Sequence, residues 1–423
     1  MTVLREMSFQ ADSAEVISVG TELLLGQTLD TNACFLSRQL AELGISTYRH
    51  TVVGDNPRRL EKAIRSALAE NDLVVTTGGL GPTADDVTTE VIAALAGIPL
   101  VKDGAVEDEL RRRYPDRAPE DFASYPLVPQ GAAVFKNEWG TAPGSFVFLQ
   151  EHGNKKAILI LPGPPDEMEP MFLASVRPFL ENYSHYHFIH RYVRLFGIGE
   201  SKAEERIKDL LENQKEVTIA PYASMKEVVI RLSQRLEQDD ATDLTQALAG
   251  ELKARFGSFV FEIGPRPLEH VLLDLLVEKR LTVAFAESLT AGMALSTMAD
   301  IPGSSATLQG GMVTYNDEMK SRLLGVSPEL LSSAGAVSCP AAIAMAEGCL
   351  AKTGADLALS FTGIAGPGGG TPKTPAGTVW IACAQTGKTT VARKYQFAGD
   401  RARVRTRAVY SGFDLLRRLL LGL

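Results

Sequence analysis

Residues 286–320 hold three polar segments, AESLTAG (Ala286–Gly292), PGSS (Pro302–Ser305) and GGMVTYNDEMK (Gly310–Lys320), and their reading decides the fold of the C-terminal half. The apolar run from Leu281 to Ala286 reads as a strand that delivers Glu287 and Ser288 to a turn. Thr290 and Gly292 follow, so a helix is expected to begin there with a hydroxyl at or near its N-cap. Gly303, Ser304 and Ser305 form a second polar turn, a short strand runs from Met312 to Tyr315, and Lys320 lies on the next helix. Several hydroxyls beside one lysine meet the needs of a Ser-Lys nucleophile pair, a weak alcohol nucleophile and an amine whose pKa is low enough to take its proton. The residues themselves do not choose among Ser288, Ser304 and Ser305.

Two further blocks surround that stretch. A buried-type strand, Leu357 to Phe361, runs into Thr362-Gly-Ile-Ala-Gly-Pro-Gly-Gly-Gly370, where Gly363 and Gly366 let backbone N–H groups approach a phosphate or an oxyanion. GDRARVR (Gly399–Arg405) then opens the last helix, with Arg401 and Arg405 four apart on one face, a spacing suited to clamping a phosphate.

In the N-terminal half, Glu15–Gly20 reads as a strand leading into a polar loop with carboxylates at Glu22 and Asp30. Asp30 caps a helix with Ala33, Leu36, Leu40 and Leu43 at helical spacing. A strand over 45–53, a helix opened by Pro57 and an apolar strand from Asp72 to Thr77 follow, the alternation of a parallel, doubly wound α/β sheet. The third strand ends in TTGGLGPTADDVTTE (Thr76–Glu90). Its glycines free the backbone to wrap an anion, and Thr83 is expected to cap a helix opening with Asp85 and Asp86. A helix N-terminus favours phosphate but two aspartates repel it, so the pair implies a metal-assisted phosphate site. The run Arg111–Arg113 reads as a solvated helix face.

Between the halves, YSHYHFIHRY (Tyr183–Tyr192) carries His185, His187 and His190 without thiol or carboxylate partners and reads as a linker entering a strand. A small α+β piece follows, with strands over 192–197, 217–220, 227–232 and 259–261 and helices over 201–211 and 242–256. It offers no evident active site and is read as a spacer or dimerisation module. Pro265 and Pro267 close it.

With 423 residues, the chain suits two or three domains. Composition of 45% hydrophobic and 22% charged residues is that of a globular protein. No apolar run approaches the ~20 residues of a spanning helix. Residues 1–14 lack the pattern of a secretory signal. Cys34, Cys339, Cys349 and Cys383 show no CxxC spacing, which fits a reduced, cytoplasmic setting, with Cys34 and Cys349 expected in the core. A net charge of −8 without a basic arm disfavours nucleic acid as a partner.

The segments AES, PGSS, VTY followed five residues later by lysine, LGV, GAVS, TGIAGPGGG, AGTVW and FAGDR occur in the order of the C-terminal domain of the CinA family. That domain is similar to the stand-alone nicotinamide mononucleotide (NMN) deamidases. The resemblance implies hydrolysis of the nicotinamide amide to the acid without a cofactor. It implies Ser305 as nucleophile, Lys320 as general base and Tyr315 assisting. Ser288 and Thr362 then line the oxyanion and amide side, and Arg401 and Arg405 the phosphate side. Three positions depart from the family's pattern: Leu289 and Ala291 read as packing changes, and Asp317 places a carboxylate near Lys320 that raises its pKa.

GTELLLGQTLDTN, TTGG, NEWGTAPG and LPGPPDEM similarly resemble the N-terminal domain of that family, a molybdopterin-binding-like fold. It implies a metal-dependent ADP-ribose pyrophosphatase in which metal-activated water yields AMP and ribose 5-phosphate. Glu22, Asp85, Asp86 and Glu167 are the candidates for holding Mg²⁺ or Mn²⁺ or orienting water, with Asp86 at the family's aspartate. Asn32, Thr77, Gly78, Gly79 and Gly163 shape the ligand site, and the loop with Asn137, Glu138 and Gly140 closes over it. RLFGIGES matches the middle piece, and the family's habit implies a homodimer. The expected domains are 14–178, 179–264 and 265–423. Two other readings share these residues: an N-terminal half that binds a pterin or nucleotide without turnover, and an interaction scaffold for competence or repair machinery.

Overall fold

Strands buried on both faces alternate with helices that each bury one stripe, so the chain builds layered α/β units. The structure is a computed structural model that describes residues 9–83, 85–116, 118, 122–151, 154–184, 186–237 and 240–423. The chain divides into two compact units, residues 1–189 with 234–243, and residues 190–233 with 244–423.

In the first unit β1 (Ser13–Val19), α1 (Thr31–Glu42), β2 (Ser46–Val53), α2 (Pro57–Glu70) and β3 (Leu73–Thr77) are followed by α3 (Thr88–Ala96) and α4 (Gly104–Arg113). After them come β4 (Ala133–Phe135), β5 (Gly144–Glu151), β6 (Asn154–Leu161) and α5 (Pro165–Met171). The sheet order is β2-β1-β3-β6-β5-β4. Its first four strands run parallel, and β5 and β4 are antiparallel additions. All five residues of β3 are buried, as expected of a strand covered on both faces. The connections from β1 to β2 and from β2 to β3 leave in opposite directions. The carboxyl ends of β1 and β3 therefore flank a topological switch point, where such sheets take ligands.

Three local expectations are corrected here. The helix expected at Asp85 begins at Thr88: the Asp86 carboxylate accepts the Thr83 N–H and hydroxyl, closing a turn, and Thr88 Oγ1 donates to Gly78 O at 2.9 Å. Arg113 is no solvated bystander, because its Nη1 donates to Asn137 O at 2.6 Å and Gly140 O at 2.9 Å and so holds that loop. Cys34 faces solvent on α1, whereas Cys349 is buried and its thiol is pushed up to about 12 by burial.

The middle piece forms β7 (Tyr186–Leu195), α6 (Glu200–Arg206), α7 (Lys208–Glu212), β8 (Val217–Ala223), β9 (Val228–Glu237), α8 (Thr245–Phe256) and β10 (Val260–Ile263). Its sheet order is β8-β9-β7-β10. His187 and His190 lie on β7 itself, and His190 Nδ1 meets Ser233 Oγ at 2.8 Å. His185 lies outside the described residues.

The C-terminal domain begins with α9 (Leu268–Lys279), β11 (Val283–Glu287), α10 (Met293–Ala299), a 3₁₀ turn (Ser304–Ala306), β12 (Leu308–Val313) and α11 (Asp317–Leu324). It continues with α12 (Pro328–Ala334), α13 (Cys339–Thr353), β13 (Leu357–Gly363), β14 (Thr378–Gln385), β15 (Val391–Gln396) and α14 (Arg401–Leu421). The sheet order is β12-β11-β13-β14-β15, with β12, β11 and β13 parallel and β14 and β15 antiparallel. β12 begins four residues earlier than expected and ends at Val313. One face of the sheet packs on α14 through Phe285, Phe361 and Phe413, the other on α13 through Met345 and Cys349. No described helix is long and apolar enough to cross a membrane.

Candidate active sites

At the carboxyl ends of β1 and β3 the first unit has a cavity of about 410 Å³ lined by Gly20, Glu22, Asn32, Thr77, Gly78, Gly79, Asp85, Asp86 and Gly163, with Asp30 and Asp55 also on its wall. Gly78 and Gly79 are required by geometry. Both have positive φ, 102° and 67°, and a Cβ would stand 2.2 Å from Val19 O at the first and 2.3 Å from Thr88 Oγ1 at the second. Asn32 is buried, and its Nδ2 donates to Thr77 Oγ1 at 2.8 Å and Gly163 O at 2.7 Å, while its Oδ1 has no partner. A buried amide oxygen so exempted marks a place where a donor from a ligand or water belongs.

The carboxylates on this wall are not equivalent. Asp30 caps α1 through Ala33 N, Asp55 accepts from Thr21 N and Oγ1, and Asp86 accepts from Thr83. Asp85 is exposed, and hydrogen bonding from Thr83, ahead of that from its own backbone, holds its carboxyl below the usual range. Glu167 does not belong to the cavity wall: its Oε2 accepts from Asn137 Nδ2 at 2.7 Å and lies against Gly140. The expected four-carboxylate set is therefore reduced to Glu22, Asp85 and Asp86. Among the described residues no three acidic, histidine or cysteine side chains gather into a metal cage. The donors still fit a hard divalent cation of the Mg²⁺ type, which takes one or two carboxylates and completes its shell with phosphate oxygens and water. They do not fit an ion held by protein alone.

The second site lies at the carboxyl edge of β11, β12 and β13, where parallel pairing brings Ser288, Thr314 and Thr362 to one level. Glu287 organises it. Its buried carboxylate accepts from Gly292 N at 2.9 Å, Ala294 N at 3.1 Å and Leu295 N at 2.9 Å, so it caps α10 where a hydroxyl was expected. The sequence reading passed over this role because the cap lies five or more residues upstream of the N–H groups it serves. Thr290 is thereby released, and its hydroxyl, that of Thr314 and Arg405 Nε are buried atoms without a partner. Thr314 was not singled out in the sequence, since nothing distinguishes it before the strands are paired.

Lys320 is 2% exposed, and burial holds its pKa below the ordinary lysine value against the opposing pull of Asp317, whose Oδ1 is 3.6 Å from Nζ. Arg401 donates to Tyr315 Oη at 2.6 Å and Gly366 O at 3.3 Å, and Arg405 Nη2 donates to Thr290 O at 2.7 Å. Both arginines thus reach this edge, though each is anchored on a different wall. Thr362 is buried with its hydroxyl donated to Ala336 O at 2.6 Å, which leaves that oxygen able only to accept from a ligand. Ser288 is 7% exposed, and its N–H donates to Phe361 O.

Ser305 is not brought to this edge. It is exposed in the 3₁₀ turn before β12, next to Thr307, whose carbonyl accepts from Val283 N at the start of β11. Lys320 follows the far end of β12. The six residues of the strand separate the two by roughly 20 Å within one chain. Leu289 is packed in the core, as a packing change should be. Ala291 is a backbone matter instead, for it adopts φ 51°, a conformation natural to glycine.

The fold and sites define a multidomain α/β protein with two separate ligand edges, one acidic and one bearing a buried lysine with arginines. Residues 15–182 match the family described as probable molybdopterin binding domain, 190–261 the damage-inducible protein CinA KH domain, and 265–420 the CinA C-terminal domain. A CinA-like protein of Dictyoglomus thermophilum is 42% identical over 413 residues, 97% of this chain and 99% of that one. A putative competence-damage inducible protein of Symbiobacterium thermophilum is 44% identical over 425 residues with the same coverage. The chain belongs to the CinA family. Among solved structures, the protein CinA of Thermoplasma acidophilum is 37% identical over 40% of this chain and 98% of that one, with a TM-score of 0.36.

Proposed function

We propose that the chain is a two-headed hydrolase of pyridine-nucleotide salvage. The C-terminal domain deamidates NMN to nicotinic acid mononucleotide, and the N-terminal domain cleaves ADP-ribose to AMP and ribose 5-phosphate. The observation that carries the first activity is a buried lysine with a depressed pKa at a sheet edge where Thr290, Thr314 and Arg405 retain unpartnered polar atoms. A neutral amine is what a serine hydroxyl needs as its base. Ser288, the serine that the strands bring to this edge, attacks the amide carbon through Oγ while its proton passes to Lys320 Nζ. The C–N bond then breaks, and that proton leaves with the ammonia. Water cleaves the resulting ester, giving the acid and restoring the serine. Arg401 and Arg405 suit the nucleotide's phosphate, and Arg401 also holds the Tyr315 hydroxyl.

In the N-terminal cavity Asp85 and Asp86 would hold a divalent cation with the substrate's own phosphate oxygens. Bound there, it would supply charge neutralisation to the diphosphate and a more acidic water. Gly78 and Gly79 let the ligand approach the backbone, Asn32 Oδ1 accepts a hydrogen bond from it, and Glu22 orients the attacking water. A reading without turnover is favoured by one observation, that Asp30, Asp55 and Asp86 already serve caps and turns. Metal-dependent release of AMP from ADP-ribose would decide against it. Nucleic acid is a poor candidate for the middle piece. KH domains clamp RNA with a Gly-X-X-Gly loop, and the junction between α6 and α7 here reads Arg206-Ile207-Lys208.

The deciding experiment is product analysis of the whole chain with NMN, with and without chelator. Nicotinic acid mononucleotide and ammonia formed equally in both would support a metal-free amidase. No ammonia in either would remove the deamidase reading.

A further inference from the structure

Inside the second compact unit, the turn between β8 and β9 of the middle piece presents Lys226 and Glu227 to α9 and α14. Ser224 fixes that turn: its Oγ accepts from Lys226 N and Glu227 N, each at 3.1 Å, and its N–H donates to Glu227 O at 2.9 Å. Lys226 Nζ lies 5.0 Å from the centre of the Tyr410 ring and 4.0 Å from Glu269 Oε1, which also accepts from Tyr410 Oη at 2.9 Å. Glu227 Oε1 accepts from Arg194 Nη1 at 2.5 Å, and Arg194 Nε donates to Gly264 O at 3.2 Å. The other two oxygens, Glu227 Oε2 and Glu269 Oε2, are buried and have no hydrogen-bond partner among the described residues. Burial holds the Glu227 carboxyl above the usual range, and the charge of Glu269 adds to this against the opposing pull of Arg194 and Lys226. Glu262 on β10, paired in register with Arg194, is bound by Arg266 at 3.0 Å. His270 and Asp300 share with Lys226, Glu269 and Tyr410 the wall of a cavity of about 250 Å³, which gives Glu269 a route to water. Two ionised carboxylates only accept, so neither satisfies the other; one proton satisfies both.

We infer that Glu227 and Glu269 share one proton, Glu227 Oε2 donating it to Glu269 Oε2, and that this bond latches the β8–β9 turn onto the C-terminal domain as a pH-sensitive tie. A carboxyl–carboxylate bond is charge-assisted, and it removes the repulsion that two ionised groups keep in a dry site. The folded chain holds this proton more tightly than the unfolded one. The latch therefore contributes fully below the ordinary glutamate value and is lost as pH rises through the raised one. It bears on two helices that shape the Ser288 turn. α14 carries Tyr410 and, just over a turn earlier, Arg405, whose Nη2 donates to Thr290 O, while Met293 and Thr297 of α10 line the same cavity. Release of the latch loosens Arg405 and weakens its hold on the nucleotide's phosphate, a consequence that rests on the deamidase reading, whereas the shared proton does not.

The test is urea unfolding of the full chain against pH, read through Trp380 in a W139F parent, with E227Q and E269Q made in that parent. In each variant the amide supplies a donor without a titrating proton. Between the ordinary and the raised glutamate values, the unfolding constant of the parent is expected to rise relative to either variant by up to about tenfold per pH unit, and to stay level above that window. No such rise would overturn the sharing. So would a rise that E227Q removes and E269Q retains, because Glu227 would then titrate by itself. Infrared spectroscopy gives a second readout: one pH unit above the ordinary glutamate value, the parent should show a protonated-carboxyl band that either variant removes, and its absence would overturn the shared proton. Coupling to the site is read from KM for NMN, which should climb with pH in the parent relative to E227Q; a flat ratio would overturn the coupling. A chain that makes no ammonia sinks the deamidase reading alone, and the unfolding and infrared measurements still decide the latch.

Discussion

Replacing Asp317 by asparagine isolates the electrostatics of Lys320 with little change of shape. The two groups are 3.6 Å apart, and the Asp317 side chain is 60% exposed. At that distance Coulomb's law gives about 1 kcal/mol at the dielectric of water and about 4.6 kcal/mol at an effective value of 20. With one partner largely in solvent, the lower figure applies. Removing the carboxylate therefore lowers the lysine pKa further, by what about 1 kcal/mol of lost attraction amounts to. The sign follows from the cause: burial already depresses this pKa, Asp317 resists, and without it the amine loses its proton at lower pH. The acid limb of kcat/KM for NMN should move down by that amount in D317N. Well below the limb, the rate should rise up to about 6-fold, the same shift expressed as a ratio. The assay is ammonia release against pH with kcat and KM resolved. A limb that stays in place or moves upward would refute Lys320 as the titrating base.

Other outcomes follow from the same contacts. Glu287→Ala strips three N–H groups at the start of α10 of their acceptor and should destabilise the C-terminal domain by about 3–5 kcal/mol, read by urea unfolding. Ala291→Gly relieves a left-handed alanine and should stabilise by about 1 kcal/mol in the same measurement. Lys320→Met should raise Tm at pH 7 while abolishing deamidation. In the wild type the unfolded chain holds the proton more readily between the depressed folded pKa and the ordinary value, so wild-type stability rises with pH across that window and the gain shrinks towards pH 10. Asp85→Asn should lower metal-dependent AMP formation about 10–100-fold and leave deamidation unchanged, whereas Glu167→Gln should disturb the Asn137 loop and affect KM more than kcat.

What could be read without coordinates was whatever depends on local pattern. Helix α1 announced itself through Asp30 and the apolar spacing of Ala33, Leu36 and Leu40, and the loops after β3 and β13 through their glycines. Caps reaching across the sequence were illegible, as with Glu287, and so was the turn in which Asp86 serves Thr83 instead of opening a helix. Glu167 and Asp86 look alike as acidic residues in polar loops, and only the packing of Asn137 and Gly140 removes the first from the cavity. Ser305 and Lys320 lie fifteen positions apart, near enough to suggest a pair, yet the strand between them holds them roughly 20 Å apart.

The two heads differ in one respect that accounts for their expected demand for metal. Both candidate sites lie at the carboxyl edge of parallel strands, beside glycine backbone, where an anion is welcome. The N-terminal wall adds Glu22, Asp30, Asp55, Asp85 and Asp86, so a diphosphate entering it meets like charge and needs a cation between. The C-terminal edge instead brings Arg401 and Arg405 to a cluster whose one buried amine is pushed towards neutrality. On the proposed reading, fixed guanidinium groups there balance the nucleotide's phosphate and leave the lysine to act as a base. A metal at that edge would compete with the arginines for the phosphate and raise the local positive charge that Lys320 must accept a proton against. Chelators should therefore silence ADP-ribose cleavage and spare deamidation in the same sample, and inhibition of both together would mean that the arginines do not balance the nucleotide's charge.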